Sequence, residues 1–409
     1  MGYRRDYNAK IKGLTRLLNE FGTSALKPDA YLEMSEAYLR LGRNSDAIET
    51  YRRLIEEFPA TEQGRQGHVQ MAMTLLNTGD NGAAADAFRE VVRRYPTSDE
   101  ALVAVEELQR LAAREGNLGE VAAFLAGIEN APQLDVTETD RLSFQVAEEE
   151  YINNGSTARL ERYLSDFPAG AHRPVAIGYM MDEAVAKGLT GDALTYANLI
   201  ITEYPDSRRA EDALAVKATS EHALGNGAAA LAAWQKLAAR ASTPAMQNRA
   251  RAGIMRVARD MGDYALVIES ADALLASSTA GAEDRNEAIF SRGLAHSLAG
   301  DNDAARADWS LIATLTDDIN GVKSAYYLAQ NLFDSDSPEA ARGHVDAIIA
   351  SGTPHTYWLA RAFILLSDIF VAADNRFEAR EYLRSLRENY PGTENDIFLM
   401  IDTRLNSLQ

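Results

Sequence analysis

A short motif, an aromatic residue followed by proline, recurs along this chain at intervals close to multiples of about 37 residues. The motif ends at Pro59, Pro96, Pro168, Pro205 and Pro391. A second marker, usually glycine, lies upstream of the motif. It is also present in the repeats that lack the aromatic–proline motif. Its ten positions are Gly42, Gly79, Gly116, Gly155, Gly188, Gly225, Gly262, Gly300, Asp336 and Asp374. Internal repeats of this length indicate an array in which each unit packs only against its neighbours.

Each repeat predicts two helices joined at the marker. In the first complete repeat, Tyr31, Met34 and Tyr38 share one helical face, and Gly42 supplies the left-handed residue that ends the helix. A second apolar face follows and stops at Pro59, which cannot continue a helix. A Ser or Thr two residues after the proline, such as Ser207, is expected to cap the next helix.

Small residues recur where paired helices should cross. Seven residues before the marker the small residues are Ser35, Ala72, Ala218, Gly293, Ala329 and Ser367. Five residues after the marker the chain has alanine in seven repeats: Ala47, Ala84, Ala193, Ala230, Ala305, Ala341 and Ala379. Nine residues after the marker an aromatic residue is frequent: Tyr51, Phe88, Trp234 and Trp309. Small side chains allow two helix backbones to approach closely, and the aromatic ring fills the adjacent space.

Helix pairs with small residues, glycine, alanine, an aromatic residue and proline at these offsets resemble the tetratricopeptide repeat. The resemblance covers nearly the whole chain and implies an all-α fold, a right-handed α-solenoid of about ten helix pairs. It divides the chain into a half repeat over residues 1–24, the array over 25–392 and a capping helix over 393–409. The repeat ending, Tyr/Phe-Pro-x-Ser/Thr, is similar to that of bacterial envelope proteins, including outer-membrane assembly lipoproteins and the Tol–Pal coordinator family.

Residues 3–21 align with the second helix of a repeat, so the chain starts half-way through a unit. We therefore expect a piece of a longer protein, with Met1 and Gly2 added at its start. On the narrower resemblance, we expect a periplasmic or envelope-associated location. The alternative is a regulatory or sensor domain of a longer cytoplasmic signalling protein. The sequence upstream of this piece would separate the two.

Composition and motifs argue against several function classes. The net charge of −19 disfavours nucleic acid and anionic membranes as partners, and no apolar run reaches the roughly 18 residues of a membrane span. The chain has no cysteine, and its six histidines lack the paired spacing of a metal-binding helix. Walker loops and nucleophile elbows are absent. The sequence thus predicts a non-enzymatic protein with no cofactor, metal or catalytic residues, which binds a protein or peptide. Self-association is a further expectation.

The resemblance places ligands on the concave face, which the first helix of each repeat lines. Positions 13, 10, 6 and 3 before the marker should project there. In repeats seven to ten they form a basic and aromatic groove, and the candidate partner-binding residues are Arg249, Arg256, Arg259, Phe290, Lys323, Tyr326, Gln330 and Arg361. Arginine makes bidentate contacts with carboxylates, and aromatic residues anchor interfaces. The alternative is that several of these side chains pack against the neighbouring repeat or merely face solvent.

Overall fold

The computed structural model of the protein describes residues 6–408, so the expectation about Met1 and Gly2 lies outside the described residues. Within this range there are helices and no strands. The helices are α1 (Tyr7–Glu20), α2 (Lys27–Arg40), α3 (Asn44–Glu57), α4 (Glu62–Asn77), α5 (Asn81–Arg94), α6 (Asp99–Glu115), α7 (Leu118–Ala126), α8 (Val136–Asn154), α9 (Ala158–Asp166), α10 (Arg173–Ala186), α11 (Thr190–Glu203), α12 (Ala210–Ala223), α13 (Gly227–Arg240), α14 (Pro244–Met261), α15 (Tyr264–Leu275), α16 (Ala282–Leu298), α17 (Asn302–Ile312), α18 (Ile319–Asp334), α19 (Pro338–Ser351), α20 (Thr356–Ala372), α21 (Arg376–Asn389) and α22 (Asn395–Ser407).

The helices form two compact units, Met1–Ala176 and Ile177–Gln409. In each unit most helices pack against the next helix in the chain. The first helices of successive repeats also contact each other: α2, α4, α6 and α8 in the first unit, and α12, α14, α16, α18, α20 and α22 in the second. Second helices make at most marginal contacts of this kind, so the first helices line the inner side of each unit. The prediction of an all-α solenoid is confirmed. Its right-handed course and the boundaries at residues 24 and 392 stay predictions.

All ten repeat markers have left-handed backbone, with φ between 55° at Asp336 and 88° at Gly300. In nine repeats the amide after the marker donates a hydrogen bond to the carbonyl five residues earlier, as Arg43 does to Tyr38 at 2.9 Å. This bond satisfies a carbonyl that the end of the first helix would otherwise leave free, and it fixes the direction in which the chain leaves the helix. Local sequence therefore sets the angle of each helical hairpin.

Close packing of rings against small residues holds the hairpins together. The Trp234 ring lies on Gly253 of the next repeat's first helix, and the Trp309 ring lies on Gly293 of its own repeat. All seven alanines at the fifth position after the marker are buried. These contacts leave no room for a larger side chain, which explains the recurrent small residues in the sequence.

The predicted capping role holds for Thr61 and Ser98, whose hydroxyls accept hydrogen bonds from the amides of Gly64 and Ala101. It is wrong for Ser207. Its Oγ is buried and has no partner among the described residues, because two further residues separate it from the start of α12. The second of them, Arg209, donates to the Gly178 carbonyl at 3.0 Å and pairs with Asp182. At this junction an arginine, rather than a serine, connects α12 to the first helix of the preceding repeat.

Arg292 occupies a position that is usually apolar in this repeat, and its charge is compensated. Its guanidinium donates two hydrogen bonds, at 2.6 and 3.0 Å, to the buried carboxylate of Asp308 and one to Asp272. The hydrogen bonds to Asp308 raise the pKa of Arg292. A charged side chain is therefore tolerated at this position because Asp308 of the same repeat and Asp272 of the preceding repeat supply carboxylate partners.

Substitution of Gly253 by alanine should destabilise the second unit. The added Cβ would lie 2.2 Å from Trp234 Cε2, so the ring must move, at a cost of about 1–3 kcal/mol. Gly343→Ala is the matched control. Gly343 lies inside α19 with no atom within 4 Å of an added Cβ, so this change should stabilise by up to ~1 kcal/mol. Urea unfolding measures both, and equal stability of the two variants would contradict the packing described.

His68 should make the first unit sensitive to acid. Its ring is 4% exposed and lies edge-on to Tyr95, and Nδ1 has no partner among the described residues. Burial, aided by the charge of Arg94, lowers the pKa of His68 from 6.5 to about 4. Below its ordinary pKa, the unfolded chain takes up a proton that the folded chain does not. Stability is therefore lost as the pH falls from 6.5 towards 4.

Between about pH 7 and pH 5 the titration of His68 lowers the free energy of unfolding by roughly 2 kcal/mol. The measurement is urea unfolding of the wild type and of His68→Leu at several pH values. The wild type should lose about that much more stability than the variant on acidification. Parallel pH profiles for the two proteins would show that His68 does not titrate as described.

Candidate functional site

The inner side of the second unit is built by residues of α14, α16, α18, α20 and α22 that face the neighbouring first helix. We call this surface the inner face. It contains seven of the eight candidate binding residues predicted from the sequence, all except Arg249. Between α14 and α16 it is closed by ion pairs: Arg256 donates to both oxygens of Glu287, at 2.9 Å from Nε and 2.5 Å from its terminal nitrogen. Arg259 donates to Ser291 Oγ at 3.0 Å and lies 3.6 Å from Glu287.

Between α16 and α18, a lysine lies over an aromatic ring. Phe290 is buried, with 6% of its surface exposed, and Lys323 Nζ lies 5.4 Å from the centre of its ring. Lys323 forms no ion pair with any described carboxylate. Burial lowers its pKa, and the charge of nearby Arg259 acts in the same direction. The charges of Glu287 and Asp318 act on this pKa in the opposite direction. The ammonium group is thus half-buried and has no ion-pair partner among the described residues.

Between α18 and α20, Arg361 is held by tyrosines. Its guanidinium lies 4.8 Å from the ring centre of Tyr326 and donates to the hydroxyls of Tyr326, at 3.0 Å, and Tyr357, at 3.2 Å. The Tyr326 hydroxyl in turn donates to Gln330, and the Tyr357 hydroxyl to Asp396. Arg361 therefore reaches a carboxylate only through a tyrosine, and it has no direct ion pair among the described residues.

Six aromatic rings form a continuous cluster beneath these two cations. Consecutive ring centres lie 5.2–5.9 Å apart, and the members are Phe290, Trp309, Tyr326, Tyr327, Tyr357 and Trp358. Burial raises the pKa of Tyr326, which keeps its hydroxyl protonated. Contacts between rings and cations of this kind fix the position of the charges without neutralising them.

The structure brings seven of the eight predicted site residues into two neighbouring groups. Arg256, Arg259, Phe290 and Lys323 lie along α14, α16 and α18, whereas Tyr326, Gln330 and Arg361 lie between α18 and α20. Arg249 is separate: it is exposed on α14 and has no partner within residues 6–408. Phe290 and Tyr326 are too buried to be the anchors that the sequence suggested, and they form the floor of the site instead.

Sequence reasoning missed Tyr327, Tyr357 and Trp358, which complete the aromatic cluster. The available signal was a pair of adjacent aromatic residues in the first helix of each of two successive repeats, Tyr326-Tyr327 and Tyr357-Trp358. It also missed the pairing of Asp368 with Arg404 on α22, where both carboxylate oxygens accept at 2.7 Å. This ion pair closes the inner face after repeat ten.

The described residues contain no group of three or more His, Asp or Glu side chains arranged to hold a metal ion. Likewise, no helix between residues 6 and 408 combines the length and the apolar character needed to cross a bilayer.

The profile of the tetratricopeptide repeat family matches residues 29–61, 68–98 and 357–393. These segments contain the helix pairs of repeats one, two and ten, whose markers are Gly42, Gly79 and Asp374. The chain is a tetratricopeptide repeat (TPR) protein. No relative was found among curated proteins.

Two solved structures illustrate the likeness. A structure of PilF from Pseudomonas aeruginosa has 18% identity, covers 57% of this chain and 97% of that chain, and has a TM-score of 0.42. A structure of the Cut9–Hcn1 hetero-tetramer of the APC/C has 12% identity, covers 99% of this chain and 93% of that chain, and has a TM-score of 0.39. Similarity at this level does not inform on the partner of this TPR protein.

The Arg256–Glu287 pair should contribute to stability whether or not a partner is bound. Arg256→Ala leaves the mostly buried carboxylate of Glu287 with only the more distant Arg259, at a cost of about 1–2 kcal/mol after allowance for the exposure of Arg256. The double variant Arg256→Ala with Glu287→Ala should regain part of that loss. A double-mutant cycle by urea unfolding measures the coupling, and strictly additive losses would exclude it.

Proposed function

We propose that this TPR protein is a non-catalytic scaffold that binds a segment of another protein along the inner face of α14, α16, α18 and α20. TPR arrays are in general protein-interaction scaffolds, which supports the broad assignment. The observation that carries the specific proposal is that two cations above one aromatic cluster, Lys323 and Arg361, form no ion pair with any described carboxylate.

These two side chains differ from most cations of the chain. Arg256 and Arg404 on the same face are paired with Glu287 and Asp368, and many exposed arginines pair with a carboxylate three or four residues away. A half-buried cation without a carboxylate is unfavourable in the free protein, and an acidic side chain of a partner would relieve that cost. We therefore propose that the bound segment supplies at least one Asp or Glu to Lys323 or Arg361.

The overall charge restricts the kind of partner. With a net charge of −19, the protein repels long polyanions, so an extended nucleic acid would gain little from two cations. A polypeptide can place one or two carboxylates at the cations and lay apolar side chains on the partly exposed rings of Tyr357 and Trp358. Gln330, beside Tyr326, can provide hydrogen bonds to the backbone of the segment.

For the cellular role we propose a bacterial envelope-associated protein, on the strength of the Tyr/Phe-Pro-x-Ser/Thr repeat ending. The second candidate is a regulatory or sensor domain of a longer cytoplasmic protein, which the same fold can serve. The full-length gene decides between them. A secretion or lipoprotein signal favours the envelope, whereas a kinase-like or DNA-binding segment favours signalling.

The test uses a partner that co-purifies with the wild-type chain. Lys323→Gln and Arg361→Gln should each weaken binding about tenfold, which is about 1.4 kcal/mol, because each removes one charge-assisted contact. The measurement is the dissociation constant by calorimetry. The matched control is Lys236→Gln with Arg53→Gln, since both side chains are exposed on second helices of their repeats. Unchanged affinity in both test variants, or an equal loss in the control, would contradict the proposed site.

A further inference from the structure

A row of arginines runs along α21, away from the inner face. Arg376, Arg380, Arg384 and Arg387 are spaced by 4, 4 and 3 residues. At 100° per residue they fall in a sector of roughly 80° and extend over about 16 Å of helix. The last three line a cleft of about 450 Å³ whose other wall is Asp402, Leu405 and Asn406 of α22. We call this surface the arginine strip.

The arginines of the strip keep unused donors. Each guanidinium carries five N–H groups. Arg384 donates to Glu381, Arg387 donates twice to Asp402, and Arg380 donates to the Leu408 carbonyl, while Arg380 Nε is buried without a partner. Arg376 is exposed and has no partner in the described part of the chain. The remaining donors of the exposed Arg376, Arg384 and Arg387 are therefore available to a ligand that brings several acceptors.

The surroundings of the strip favour a narrow acidic ligand. Glu378, Glu381 and Glu388 are exposed and form a parallel acidic row in the adjacent sector of α21. A broad anionic surface, such as a membrane or a nucleic acid, would contact this row and be repelled, as it would be by the net charge of −19. A single helix can contact the strip from the side of α22, away from the acidic row, and Leu405 offers it an apolar contact in the cleft.

We infer that the arginine strip, together with the adjoining cleft of α22, binds a helical segment of a partner protein whose Asp or Glu residues recur every three to four positions. Such a helix places one carboxylate beside the arginine of each turn, the arrangement that stabilises ion pairs between helices. Asp402 occupies one of these positions in the free protein, since its carboxylate accepts from Arg387 at 2.5 and 3.2 Å. The bound segment replaces this internal carboxylate. This site is separate from the inner face and does not depend on the function proposed there.

The experiment measures fluorescence anisotropy of two labelled alanine-based peptides of equal composition, at low salt. One carries glutamates at positions 1, 5, 8 and 12, and the other distributes the same glutamates around the helix. Wild-type protein should bind the first at least about fivefold more tightly. Arg384→Gln with Arg387→Gln should weaken that binding about tenfold, whereas Asp402→Asn should strengthen it about threefold by freeing Arg387.

The control double variant is Arg52→Gln with Arg53→Gln, which removes the same charge from another exposed helix and should bind like the wild type. Thermal melts followed by circular dichroism establish that every variant is folded. Three results would overturn the inference. These are equal affinity for the two peptides, weaker binding by Asp402→Asn, and binding of heparin or phosphatidylglycerol vesicles through the strip more tightly than the patterned peptide.

Discussion

The architecture of this TPR protein depends on one backbone constraint, the left-handed residue that separates the two helices of every repeat. Ten positions from Gly42 to Asp374 adopt it, and eight of them are glycine, which takes positive φ without a steric penalty. The constraint fixes the hairpin angle locally. It thereby decides which side chains face the next repeat, and the ion pairs and ring contacts of the inner face all follow from that repeated geometry.

The helix pairs could be predicted because their signals are local. Glycine, proline and the apolar period act over fewer than ten residues, so Gly42 and Pro59 sufficed to delimit α2 and α3. The partners of inner-face side chains could not be predicted, because they lie in the neighbouring repeat. Glu287 is 31 residues from Arg256, and Tyr326 is 35 from Arg361. Such pairs depend on the exact stacking of repeats. Ser207 failed as a cap for a related reason, since one junction two residues longer moved the start of α12.

Some charged side chains of the inner face are paired within the protein and others are not. This difference separates candidate residues that hold the repeats together from those that are free to bind a partner. Arg256 and Arg259 chiefly join α14 to α16, and Phe290 and Tyr326 support the surface from below. Lys323 and Arg361 remain as the half-buried cations whose carboxylate partner is missing within the described chain. On the proposed function, the specificity of this protein lies where the compensation of charge between repeats is incomplete, rather than in the residues that repeat.

The most direct test of this account is zero-length carbodiimide cross-linking of the purified protein to its partner, with the cross-links located by mass spectrometry. Carbodiimide joins carboxylates to amines that are in contact, and Lys323 Nζ forms no ion pair with a described carboxylate of its own chain that would compete for the cross-link. The account predicts that Lys323 is linked to an Asp or Glu of the partner, and that Arg361→Gln reduces the yield. Cross-links confined to other lysines, such as Lys217 and Lys236, would contradict it.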